Sequence, residues 1–198
     1  MLADLQQLLG GSLGQEATQL ISQQLGIDAN QAQSAVNLAL PTILSALNRN
    51  ASTEDGAAAL TNAIANDHNG SQLGDLAGLA QSALGGDGAS ILKHILGGAE
   101  QNVATAVSQN AGIGSGQASQ ILQILAPLVL NALGNKSQQT GGGINIGNIA
   151  GILSNFVDNQ QQQQAPQQND LISQLLDRDK DGSVVDDVVG MLGNLFKK

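Results

Sequence analysis

"GIDANQAQSAVNLALPTILSALNRN", residues 26–50, returns without a gap as "GIGSGQASQILQILAPLVLNALGNK", residues 112–136, at an offset of 86. Gly26-Ile27 aligns with Gly112-Ile113, Gln31-Ala32 with Gln117-Ala118, Pro41 with Pro127, Leu44 with Leu130, and Ala46-Leu47 with Ala132-Leu133. Just upstream, Ser22-Gln23 matches Ser108-Gln109. In both copies apolar residues recur at three- and four-residue spacing, the helical period, and β-branched alternation is nearly absent. A glycine ends one helix and the next begins within a few residues. Each proline removes a backbone donor inside a long apolar stretch and is expected to kink its helix or start a new one. The fold class read from this is all-α. It contains two helix–Gly–Pro-kinked-helix units, about 12–84 and 98–157, packed with pseudo-twofold symmetry. Two copies make a duplicated globular domain, not a solenoid.

Working outward, Leu20, Ile21 and Leu25 mark one face of a helix that stops at Gly26. Asp28 is the expected N-cap of a helix through Val36, Leu40, Leu44 and Leu47. Ser52 with Asp55 forms a capping-box pattern ahead of Leu60 and Ile64. Further helices are expected around 72–84, 88–96, 99–109, 115–134 and 146–157, with glycines at 85–86, 97–98, 112, 134 and 141–143 between them. "GGDGAS" (85–90) reads as a turn with Asp87 near an N-cap, and "GGGINIGNIAG" (141–151) as a loop leading into a helix.

At 198 residues with 41% hydrophobic content the chain can bury a sizeable core. It has two Phe and no Tyr or Trp, so it offers no stacking platform for bases. Net charge is −9, and the seven basic residues are scattered as Arg49, Lys93, Lys136, Arg178, Lys180, Lys197 and Lys198. That excludes a basic patch for nucleic acid and disfavours an anionic membrane surface. Absence of cysteine removes thiolate sites and disulfides. The greasiest run, "ILQILAPLVLNAL" (121–133), is too short to span a bilayer and carries Gln123 and Asn131. The first residues lack a basic n-region and an apolar h-region, so the expected location is the cytoplasm.

After Asp158 the composition changes. "NQQQQQAPQQN" (159–169) has no apolar surface to bury and reads as a flexible linker closing a body of residues 1–158. The tail that follows, 170–198, holds six of the sixteen acidic residues. Numbered as an EF-hand loop from Asp177, it places Asp179 at position 3, Asp181 at 5, Gly182 at 6 and Ser183 at 7. Hard oxygen ligands at alternate positions converge on a cation as the loop wraps round it, and apolar stretches with helical spacing flank both sides. A bidentate Glu belongs at position 12, where this chain has Val188; Asp186 and Asp187 stand earlier and would close the ring. The shortening is similar to the excalibur type of calcium loop. Candidate metal ligands are therefore Asp177, Asp179, Asp181, Ser183, Asp186 and Asp187. Calcium is the preferred ion and magnesium the competitor. The alternative is a helix cap, since Ser183 and Asp186 also form a capping box and the two aspartates suit a helix N-terminus. A cap needs neither Asp177 nor Asp179.

No enzyme is expected. His68 and His94 are the only histidines, and both read as surface residues. No Gly-x-Ser-x-Gly elbow, Walker lysine or Gly-x-Gly-x-x-Gly order occurs. Catalysis would require the two histidines or a carboxylate pair to converge in a cleft.

"LGGDGASILKHILGGAEQNVATAVSQNAGIGSGQASQILQILAPLVLNALGN" (84–135) closely resembles the bacterial domain-of-unknown-function family 937, which includes YidB-like proteins. The glycine-flanked "ILKHILG", then "GI", then "LAPLVLNALG" carry the likeness, and the repeat places a divergent copy before it. The tail "LLDRDKDGSVVDDVVGMLGNLF" is similar to the end of many members. The resemblance implies an all-helical bacterial protein and supplies no catalytic residues. The reading is a non-enzymatic helical scaffold or interaction protein, partnered by another protein or by itself, with a calcium-binding loop that orders its tail. Its rival is a constitutive self-assembling structural protein whose aspartate loop is only a cap.

Overall fold

A computed structural model describes residues 11–139 and 143–163. Among them the chain is helical and contains no strand, in agreement with the all-α expectation. The helices are α1 (Ser12–Leu25), α2 (Ala29–Ala51), α3 (Glu54–Asn66), α4 (Leu76–Ser82), α5 (Gly88–Leu96), α6 (Glu100–Ala111), α7 (Ser115–Gln139) and α8 (Ile146–Gln163). Short 3-10 turns occupy Ser71–Gly74 and Gly97–Ala99, and a π turn occupies Ala83–Asp87. The chain divides into two units, Met1–Val157 and Asp158–Lys198. The core and the clefts described below belong to the first.

The repeated residues build the same junction twice. Gly26 ends α1 at φ 61° and Gly112 ends α6 at φ 65°, the left-handed conformation that glycine adopts without strain. Ser22 Oγ donates to the Ile27 carbonyl (2.7 Å), and Ser108 Oγ donates to the Ile113 carbonyl (2.6 Å). Each following helix is then opened by a glutamine: Gln31 Oε1 accepts from Asp28 N–H, and Gln117 Oε1 accepts from Gly114 N–H. The amide ends of the two glutamines cross over. Gln31 Nε2 donates to the Gly112 carbonyl (2.8 Å) and Gln117 Nε2 to the Leu25 carbonyl (3.3 Å), so each half satisfies an exposed helix end of the other.

The prolines do not start new helices. α2 runs through Pro41 and α7 through Pro127. Tertiary packing on both sides of each ring holds the helix together against proline's lost hydrogen bond. Around Pro41, Ala39, Leu40, Ile43 and Leu44 are all buried. Pro127 is itself buried, and the carbonyl of Gln123, four residues back, is where the backbone of Gly88 seats so closely that a methyl group there would overlap it.

α7 is the centre. Every residue from Ile124 to Gly134 is buried, the pattern of a helix surrounded on all sides. α2 is the amphipathic counterpart: Ala32, Ala35, Val36, Ala39, Leu40, Ile43, Leu44, Ala46 and Leu47 form one apolar stripe. α2, α3, α5 and α6 all pack on α7. Full burial of side chains such as Ile121, Leu122, Leu125 and Leu133 contributes about 1.5–3 kcal/mol each.

Three local expectations are corrected. The N-cap of α3 is Thr53, whose Oγ1 accepts from Gly56 N–H, while Ser52 turns back and donates to the Arg49 carbonyl at the end of α2. Two hydroxyls stand side by side there, and the chain direction leaving α2 selects the second. The helix expected over 72–84 is broken into the 3-10 turn, α4 and the π turn, because Asp75 caps α4 through Gly78 N–H and Gly86 sits at φ 129°. Asp87 does stand at the N-cap position of α5, as expected, without a side-chain cap bond. Finally, α8 continues to Gln163, five residues into the expected linker; glutamine is a good helix former, so extending a started helix is inexpensive.

Candidate functional site

Asn131 lies in the middle of α7, wholly buried. A buried amide must find partners, and this one uses both ends. Its Oδ1 accepts from Gly70 N–H (3.2 Å), which fixes the orientation of the amide. Its Nδ2 faces the Pro127 carbonyl (3.0 Å), His68 Nδ1 (3.2 Å) and Gln72 Oε1 (3.3 Å). Gln138 Nε2 adds a bond to the Asn69 carbonyl (2.8 Å). Two glycines allow the loop after α3 to lie this close. A methyl group on Gly134 would overlap the His68 carbonyl and come within 3.0 Å of Asn69, and one on Gly70 (φ 93°) would stand 2.7 Å from Asn135 Cβ. The 68–72 segment is thus clamped to the central helix.

The clamp sets the chemistry of His68. With Asn131 Nδ2 as the donor, His68 Nδ1 is the acceptor, so the neutral ring carries its proton on Nε2. Burial lowers the histidine's pKa from its usual 6.5, against the opposing pull of Asp67 and Asp87. His94, on α5, is held the other way round. Its Nδ1 lies 2.8 Å from the Ser90 carbonyl, which can only accept, so Nδ1 carries the proton and Nε2 of the neutral ring is an acceptor. Asn50 from α2 donates to the His94 and Ile95 carbonyls (3.2 Å each), capping the end of α5 from a neighbouring helix.

Both histidines border one cleft. Its first compartment, about 550 Å3, has an apolar floor that includes Leu47, Leu60, Ile91, Ile95 and Leu130, with Asn50, Asp67, His68, Ser90 and His94 as its polar groups. A second compartment of about 480 Å3 shares Asp67, His68, Ser90 and Ile91 with the first and adds Asn66, Gln72, Ser82 and Asp87. Among the described residues, neither compartment is lined by a lysine or arginine. Among the described residues, neither imidazole is hydrogen-bonded to a carboxylate or a hydroxyl.

The expectation of two surface histidines therefore holds for His94, which is exposed, and fails for His68, which is half-buried because the loop folds back over α7. The proposed metal ligands Asp177, Asp179, Asp181, Ser183, Asp186 and Asp187 lie outside the described residues, as do residues 164–169 of the linker and the helix–loop–helix at 170–198. Among the described residues no group of three or more His, Asp or Glu could hold a metal ion. No single described helix is long and apolar enough to cross a membrane. Sequence reasoning missed the roles of Asn131 as a clamp on the His68 loop and of Asn50 as a cap on α5. One signal was available: Asn131 is the polar residue between Ile124 and Gly134, and the repeat aligns it with Ser45.

Neither the curated proteins nor the solved structures contain a significant match to this chain. The family described as "Bacterial protein of unknown function (DUF937)" matches residues 7–136. The match embraces both members of the internal repeat, whereas the resemblance read from the sequence lay on 84–135 with a divergent copy before it. It ends at Lys136, within α7, and includes every residue that lines the two-histidine cleft, so the cleft is built wholly from the family's own segment: the chain belongs to this family of bacterial proteins of unknown function.

Proposed function

We propose that this protein is a non-enzymatic helical binding protein and that the cleft between α2, α3 and α5 is its recognition surface. The observation that carries the reading is the lining: an apolar floor with a few polar groups whose orientation is fixed from behind, by Asn131 for His68 and by the Ser90 carbonyl for His94. Clefts of this size and composition are the usual form of a ligand site. An amide NMR titration of the intact chain with small organic fragments tests it. Shifts confined to Asn50, Ser90, His94 and their neighbours are expected; fragments that bind elsewhere or nowhere would remove the reading.

Two imidazoles on one cleft also favour a second reading, acid–base catalysis with His94 Nε2 as the base. Binding is preferred because His68 spends its Nδ1 on a structural amide and neither ring is oriented by a carboxylate. The tail adds a separate element to the proposal. Its aspartate loop binds calcium through Asp177, Asp179, Asp181, Ser183, Asp186 and Asp187, and binding orders residues 170–198. Calorimetric titration beside Asp177→Ala/Asp181→Ala, repeated in excess magnesium, should give one site in the parent chain and none in the variant. No heat at about 1 mM calcium, the weak end of such sites, would reduce the loop to a helix cap.

A further inference from the structure

The cleft carries an unbalanced charge. Asp67 and Asp87 both line the second compartment, both act on His68, and among the described residues no lysine or arginine lines either compartment. Arg49 and Lys93 are sequence neighbours of the lining residues Asn50 and His94, yet they are exposed and contribute nothing to the lining. In the second compartment His68 is the one lining group among the described residues able to become a cation. Burial and the Asn131 donor at Nδ1 keep its ring neutral, so it does not compensate the two carboxylates. The remaining polar groups facing a guest include acceptors suited to N–H donors: the Ser90 hydroxyl, and His94 Nε2 when that ring is neutral. The floor of the adjoining compartment is apolar. A carboxylate or phosphate ligand would meet repulsion here, and a purely apolar one would leave the acidic end unused.

We propose that the cleft binds a small organic cation, a protonated amine on an apolar body, with the ammonium group between Asp67 and Asp87 and the hydrocarbon on the floor formed by Leu47, Leu60, Ile91, Ile95 and Leu130. This rests on the cleft being the recognition surface and adds the class of molecule recognised. An ammonium group in a half-enclosed site lined by two carboxylates gains more from charge than one at an open surface. Its apolar body gains from area removed from water.

Three probes of equal length separate the terms: hexylammonium, hexanol and hexanoate, titrated into the intact chain and followed by the amide resonances of Asn50, Ser90 and His94. Hexylammonium is expected to bind about tenfold more tightly than hexanoate, the scale of one close charge pair at intermediate dielectric. In Asp67→Asn/Asp87→Asn that preference should fall to about twofold or less, with hexanol affinity unchanged, which also shows that the variant is folded. The His68 ring resonances should report a further lowering of its pKa when hexylammonium is bound. Hexanol or hexanoate binding as tightly as hexylammonium would overturn the cation inference and leave the cleft a ligand site. If none of the three moves a cleft resonance, the cation inference and the reading it rests on both fail. If hexylammonium binds with the same preference in the double variant, the ammonium lies elsewhere and the inference fails alone.

Discussion

α2 and α7 are aligned residue for residue at an offset of 86 and have opposite fates. α2 buries one stripe and shows its other faces to solvent; α7 is buried on every face from Ile124 to Gly134. The differences that bear on the cleft lie after the prolines. Where the first copy has Ser45, Asn48 and Arg49, the second has Asn131, Gly134 and Asn135, and these are the residues on which the His68 loop is clamped. The likeness of the two copies supplies a frame, and their difference supplies the cleft. The comparison breaks most sharply at the glycine. Gly134→Ala places a methyl group against the His68 carbonyl, where backbone must move, and should cost about 3 kcal/mol or more. The aligned change Asn48→Ala should lie within about 0.5 kcal/mol of the parent. With no Trp or Tyr in the chain, urea unfolding followed by far-UV circular dichroism is the appropriate measurement. Equal effects at the two positions would show that the loop is not seated on α7.

The next effect in size belongs to the amide. Asn131→Ala leaves Gly70 N–H and His68 Nδ1 without their partner in a closely packed place, for an expected loss of about 2 kcal/mol. Ser45→Ala, exposed at the aligned position, should be nearly neutral. The same unfolding curves decide it, and an amide exchange measurement should show Gly70 losing protection only in the Asn131 variant.

Where the copies agree, smaller and matched effects are expected. Gln31→Ala and Gln117→Ala each remove one cap and one cross-junction bond at exposed or half-buried ends, about 0.5–1 kcal/mol apiece. The cross-junction bond is the shorter at Gln31, 2.8 Å against 3.3 Å, and the cap bond is the shorter at Gln117, 3.0 Å against 3.3 Å, so the two losses should be nearly equal. A loss from one alone would mean that only one junction works as drawn.

These contrasts also mark what could be read from the chain alone. Helical class, the stops at Gly26 and Gly112, and the Asp28 cap were legible because local rules and tertiary structure agree there. The Thr53 cap and the break at Asp75 were not, since each depends on the direction in which a neighbouring helix leaves. His68 was misread as a surface residue for a stronger reason. Its burial is created by Gly134 and Asn131, more than 60 residues away, and nothing in "NDHNG" announces that contact. The aspartate loop was the most legible chemistry in the sequence, and it is the part the described residues do not include.

The smallest effect tests the imidazole itself, for which the second copy has no counterpart: the offset of 86 places Ser154 there. Because burial lowers the pKa of folded His68 below 6.5, the unfolded chain binds more protons than the folded chain between those two values. Stability is therefore unaffected well above pH 6.5, falls as pH drops through that value, and levels off below the folded pKa. Protonation would also set an N–H on Nδ1 against Asn131 Nδ2. Asp67 and Asp87 oppose the shift, so the slope is shallow in the parent chain. Removing one of them by Asp67→Asn should steepen it, and removing the ring by His68→Gln should abolish this component. Urea midpoints compared at about pH 7.5 and about pH 5.5, either side of the usual histidine range, give the answer. A His68→Gln variant that loses as much stability on acidification as the parent would place the titrating group elsewhere and would free His68 from the clamp.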